Sequence, residues 1–145
     1  MLNEDRAALE AAYRKTRYLV RLDAGDLELR IDRPDPAADD RLRREVGCQR
    51  EWALVTPCNP RSGRLSDVVN ARLYEEMRQE LTMRGQRFVS AVHHDPDGSW
   101  PDEASFLLID PPPHVPETLG RDYKQNAIVT GTLGSPPLLR WNEER

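Results

Sequence analysis

Lysine is nearly missing from this chain. Nineteen of its twenty-one basic residues are arginine, leaving only Lys15 and Lys124. The bias reads as the imprint of a GC-rich bacterial genome rather than of a function. No run of basic residues occurs: the arginines alternate with acids, as in Asp39-Asp40-Arg41-Leu42-Arg43-Arg44-Glu45. With a net charge of −4 and only 6% aromatic residues, nucleic acid is not an expected partner. Long apolar runs are missing too, and no window approaches the length of a membrane-spanning helix. The opening Met1-Leu2-Asn3-Glu4-Asp5 lacks the basic-then-apolar form of a secretory leader. The expectation is a soluble cytoplasmic protein with no membrane partner.

Cysteine and histidine are equally scarce. Cys48 and Cys58 make neither a disulfide framework nor a metal pattern by spacing, and in a reducing compartment both are expected as free thiols. His93 and His94 are neighbours, so on a strand they face opposite ways. With only His114 besides, no zinc site is expected. The glycines and lysine of a phosphate-cradling P-loop are lacking. Neither metal nor cofactor is expected.

What is present suits one domain: 145 residues, 38% hydrophobic and 32% charged, enough for a single real core. Asn3 can cap a first helix to about Arg17, with Leu9, Ala12 and Tyr13 on one face. Two strands, Tyr18–Leu22 and Leu27–Ile31, flank a turn at Ala24-Gly25; the second alternates and belongs near a sheet edge. A short helix from Ala37 to Val46 stops at Gly47. Trp52–Val55 is apolar throughout, as in a strand covered on both faces. A helix from Ser66 to Arg84 follows, capped by Ser66 and stopped by Gly85. Phe88–Val92 and Ala104–Ile109 read as an antiparallel pair turning at Asp95-Pro96-Asp97-Gly98. A helix over Pro116–Lys124, a strand Ala127–Thr130 and an edge strand Leu138–Trp141 complete the chain. The order predicts an α/β or α+β fold: one domain over residues 1–145, with a central mixed sheet packed by about four helices.

The candidate site is the strand-to-helix loop Thr56-Pro57-Cys58-Asn59-Pro60-Arg61-Ser62. Loops of this kind carry binding sites in α/β proteins, and free backbone N–H groups at the following helix favour an anion. Thr56, Asn59, Arg61 and Ser62 supply hydroxyl, amide and guanidinium groups suited to a phosphate, a carboxylate or a nucleobase edge. Pro60 is expected to hold Asn59 extended. On the next helix, Leu73, Tyr74, Met77 and Leu81 form an apolar stripe with Asn70 in its middle. Asn70 is therefore expected to be largely buried, either tying the loop to the helix or touching a ligand. Glu103, at the entry to a buried strand, is either a structural carboxylate pairing Arg61 or backbone N–H groups, or a general base. Trp100 reads as a lid over the core. Gln125 and Asn126 precede the last inner strand and suit either a pocket wall or a helix C-cap. Cys58 would need His93 or His94 as a base to act as a nucleophile, and no spacing supports that pairing.

These pieces together resemble an uncharacterised bacterial family, DUF3293. The resemblance rests on Trp52-Ala53-Leu54-Val55-Thr56 running into Asn59-Pro60-Arg61-Ser62, then Asn70 and Arg72. It continues through Trp100-Pro101-Asp102-Glu103-Ala104-Ser105 and Gln125-Asn126-Ala127. It covers roughly residues 10 to 140. Cys58, Asp102 and Ala104 depart from it, standing where Trp, Glu, and Glu or Ser are associated with the family. If Asp102 replaces a functional glutamate, Glu103 takes over the carboxylate role. The resemblance implies a compact domain and no activity. Two functions stay open: a domain binding a small molecule or nucleotide, with an anionic partner at Thr56–Ser62, and a noncatalytic interaction or regulatory module. Convergence of Asn59, Asn70, Glu103 and Gln125 on one concavity favours the first. No complete set of nucleophile, base and orienting group is visible, so catalysis is left open.

Overall fold

The computed structural model describes residues 3–142. Four helices, α1 (Asn3–Lys15), α2 (Pro36–Val46), α3 (Asp67–Met83) and α4 (His114–Asp122), accompany seven strands. The strands are β1 (Arg17–Val20), β2 (Leu27–Leu29), β3 (Glu51–Val55), β4 (Phe88–His94), β5 (Glu103–Ile109), β6 (Ala127–Thr132) and β7 (Leu138–Trp141). They form one sheet in the order β2-β1-β4-β5-β3-β6-β7. Every pairing is antiparallel. The single domain, its sheet and its four helices match the expectation, and the fold is α+β. The mixed pairing is corrected: every neighbouring pair runs antiparallel, while α3 carries the chain from β3 to β4 across β5 and α4 carries it from β5 to β6 across β3. The side-chain capping role expected of Asn3 and the leader test on Met1 and Leu2 fall outside what is described.

Strand alternation assigns the core to two sides of the sheet. Trp52, Leu54, Leu107, Ile109 and Val129 meet Ala38 and Leu42 of α2 on one side, where Tyr13 of α1 also packs. Ala53, Val55, Phe106, Leu108 and Ile128 meet Met77 and Leu81 of α3 and Val115 and Leu119 of α4 on the other. Leu54 and Leu107 are fully buried, each burial contributing about 1.5–3 kcal/mol. That two-sided cover explains why Trp52–Val55 of β3 is apolar throughout, while β2 and β7 sit at the edges.

Local chemistry ends the helices. The Asp35 carboxylate accepts from the N–H of Ala38 and Pro36 follows it at the start of α2; Gly47, at φ 70°, closes that helix in the left-handed region only glycine adopts freely. The Ser66 hydroxyl accepts from the N–H of Val69 at 3.2 Å to start α3. Asp110 accepts the N–H groups of Gln49, Arg50 and Glu51 at 2.8, 2.8 and 3.0 Å, holding the entry to β3 against the end of β5. Both cysteines are free and buried.

Candidate functional site

Between α1 and the sheet lies a cavity of about 330 Å³. Its floor is the sheet face carrying Tyr18, Leu54, Ala127 and Val129, and its roof is the α1 face of Leu9, Ala12 and Tyr13. Thr56, Asn59 and Ser62 close one end; Trp100 and Glu103 close the side where β5 begins.

The loop after β3 is shaped by its own polar groups. Thr56 donates its hydroxyl proton to the carbonyl of Ala104 at 2.8 Å and accepts from the N–H of Cys58 at 3.1 Å. Asn59, Arg61 and Ser62 then take positive φ values of 49°, 55° and 59°. The extended Asn59 expected from Pro60 is thus corrected. Asparagine tolerates the left-handed region, and its amide is gripped there. Asn59 Oδ1 accepts from the N–H of Leu65 at 2.8 Å and from Asn70 Nδ2 at 2.9 Å, while its own N–H donates to Asn70 Oδ1 at 3.0 Å. Three left-handed residues in a row of four are a local strain of the kind that gathers at functional sites.

This arrangement holds the Asn59 Nδ2 donor against Glu103 Oε2 at 2.6 Å, with the Trp100 indole N–H donating to the same oxygen at 3.1 Å. Burial pushes the Glu103 carboxyl above its usual range, and the two hydrogen bonds partly offset that. Tyr13, beside the Ser62 hydroxyl and the Ala127 backbone, is raised to about 12, first by burial and then by the Glu103 charge. At neutral pH its phenol is therefore protonated. His93 meets Tyr18 edge to face at 4.8 Å. Burial lowers His93 to about 4, and its Nε2 has no hydrogen-bond partner among the described residues.

The expected site residues divide into two groups. Thr56, Asn59, Ser62, Trp100, Glu103 and Gln125 line the one cavity. Asn70 and Asn126 stand behind it: Asn70 braces Asn59, and Asn126 donates to the Ser62 hydroxyl at 2.9 Å. Asn70 is half-buried rather than largely buried, because the first turns of α3 run past the sheet and leave Leu65, Val68 and Val69 exposed. Arg61 lies outside the lining, although its N–H donates to the carbonyl of Lys124 at 2.7 Å. Trp100 is half-buried and walls the cavity instead of covering the core. Asp102 turns outward to His94 at 2.7 Å, so of the two neighbouring carboxylates it is Glu103 that faces inward. The Cys58 thiol, raised by burial, donates to the Ala104 carbonyl at 3.5 Å.

Tyr13, Lys15, His93 and Asp95 are among the lining groups that residue patterns did not bring into the site. For Tyr13 a signal existed, since it shares a helix face with Leu9 and Ala12. That face reads as core contact until its position over the sheet is known.

Fold and site together define a small α+β domain with a polar-ended apolar cavity beneath its first helix. The chain belongs to the family described as Protein of unknown function (DUF3293), which it matches over residues 55–128. That span contains the β3 loop, Asn70, Trp100, Glu103 and Gln125. Neither the curated proteins nor the solved structures provide a match.

Proposed function

We propose that this domain binds a small organic molecule, or the base of a nucleotide, in the cavity between α1 and the sheet. The observation that carries the reading is Glu103: a carboxylate held at the head of an apolar cavity by Asn59 and Trp100. Burying a charge costs several kcal/mol when it is poorly compensated, and a structural role would be served equally by a neutral side chain. Pockets for small ligands combine this apolar lining with a few fixed polar groups. A bound anion at the loop is less well served, since Arg61 lies outside the lining and Lys15 is engaged by Asp97 and Asp95 at 2.7 and 3.6 Å. A bacterial cytoplasm is the setting we infer, from the arginine bias and two unpaired buried thiols. No helix among the described residues is long and apolar enough to cross a membrane.

A thermal-shift screen of nucleosides, nucleotides and small metabolites tests the reading, because a ligand binding only the folded state raises its melting point. Ala127→Leu, which fills part of the cavity floor, should abolish the shift while the unliganded protein still melts cooperatively. Equal shifts in both proteins would place binding elsewhere. A second reading, as an interaction module, draws on the exposed apolar start of α3, where Val68 is 71% accessible. Val68→Lys separates the two: it leaves small-molecule stabilisation intact under the first reading and removes partner capture under the second.

A further inference from the structure

The hydrogen-bond inventory of the cavity is lopsided. Its amide and indole donors are engaged within the protein: Asn59 and Trp100 give theirs to Glu103, and Thr56 gives its hydroxyl proton to Ala104. Gln125 Nε2 donates to the carbonyls of Cys58 and Tyr123 at 3.0 and 3.3 Å. The Ser62 hydroxyl accepts from Asn126 and stands beside the Tyr13 phenol. The acceptors are not engaged in the same way. Glu103 takes both of its donors on Oε2, so Oε1 receives no donor from the described residues. The Gln125 side-chain carbonyl is likewise without one. His93 Nε2 is out of solvent and unpaired among the described residues, and accepts or donates according to its tautomer. Two acids, Asp95 and Glu103, line the cavity against one lysine, and that lysine is already paired with Asp95 and Asp97.

A cavity that keeps a carboxylate oxygen and an amide oxygen open while its amide and indole donors are occupied favours a ligand that donates. Resting on the binding reading above, we infer that the ligand is an organic cation: an ammonium or amidinium group on an apolar or aromatic body. The charged group meets Glu103 Oε1, while the body lies along Leu9, Leu54 and Val129. A cationic donor satisfies the half-buried carboxylate with a charge-assisted hydrogen bond. A carboxylate or phosphate in the same place would face Glu103 with like charge, and neutral His93 adds no positive charge to offset it.

Tryptamine, tryptophol and indole-3-propionate share one aromatic body and differ in the polar end, so they read the preference directly. Affinities come from calorimetry, and binding is placed by amide shifts of Glu103 and Ala127 in NMR spectra. Tryptamine should bind about tenfold tighter than tryptophol, as expected for a hydrogen bond to a charged group, and indole-3-propionate weakest of the three. Glu103→Gln should bring tryptamine and tryptophol to similar affinity. Indole-3-propionate binding at least as tightly as tryptamine, or tryptamine affinity unchanged in Glu103→Gln, would overturn the inference. The wild-type ranking needs no variant, so it decides even if Glu103→Gln folds poorly. Should only a neutral or anionic compound from the wider screen shift the cavity amides, the binding reading stands and the cation inference fails. If no compound moves those amides, both fail.

Discussion

Asn59 and Asn70 show how a pair of amides can stand in for backbone regularity. Asn59 occupies a conformation that the following proline disfavours, and three hydrogen bonds to Leu65 and Asn70 keep it there. Asn70 does not line the cavity; it positions the residue that positions Glu103. Replacing Asn70 with leucine leaves the N–H of Asn59 without its acceptor and removes a donor to its side-chain oxygen. Loss of about 1–3 kcal/mol follows from stranded partners of this type. Because Asn70 is half-buried, water reaches the gap and the lower part of that range is expected. Chemical denaturation of Asn70→Leu measures it, and an unchanged midpoint would show that the loop keeps its shape without this brace.

At the scale of elements, β3 and β6 are fitted to each other through one glycine. Gly131 pairs with Trp52 across the two strands, and a Cβ built on it would lie 2.1 Å from the Trp52 ring. The indole therefore lies flat over the strand backbone, a close approach that only glycine permits. Gly131→Ala forces the buried ring out of its place, and overpacking of this kind typically costs about 1–3 kcal/mol. Thermal melting of the variant, with tryptophan fluorescence reporting the displaced indole, checks this outcome. A melting point equal to the parent's would mean that Trp52 finds another rotamer without loss. Elements were well legible in the chain because each carries its own marks. Asp35 and Ser66 cap, Gly47 and Gly85 stop, and the two-sided apolarity of β3 gives away its central place. Pairing direction was not legible, since antiparallel and mixed sheets draw on the same strand patterns and differ only in how the connections run.

For the whole molecule, the half-buried Glu103 carboxylate couples stability to pH. Glu103 has its folded-state pKa raised, so between its ordinary and its raised pKa the native protein holds a proton there that the unfolded chain has already lost. Stability contributed by this group is therefore lost as pH rises from the ordinary glutamate value of about 4.3 through the raised one. His93 works in the opposite sense, being held neutral when folded, so acidification toward about 4 destabilises the fold. Comparing the parent with Glu103→Gln cancels the histidine and the remaining carboxylates. The difference in melting point should move in favour of Glu103→Gln as pH rises from about 4 to 7. A difference that is flat across that range would mean Glu103 titrates as an ordinary exposed acid.

Much of the candidate site could be read from residue types alone. Thr56 follows the end of β3 while Glu103 and Gln125 stand at or just before the starts of β5 and β6, and the antiparallel pairing of β3 with both strands brings those ends together. The caps, the stops and the inner strands are local consequences of sequence. Only the tertiary structure decided what they enclose. Arg61 and Asn70 fall outside the lining because a left-handed turn, set by hydrogen bonds across eleven residues of chain, redirects the loop. Tyr13 and His93 enter the site from elements distant in sequence, brought in by α1 crossing the sheet and by β4 pairing between β1 and β5. Which acceptors are left open depends on which donors fold within reach, and that is a property of packing in three dimensions.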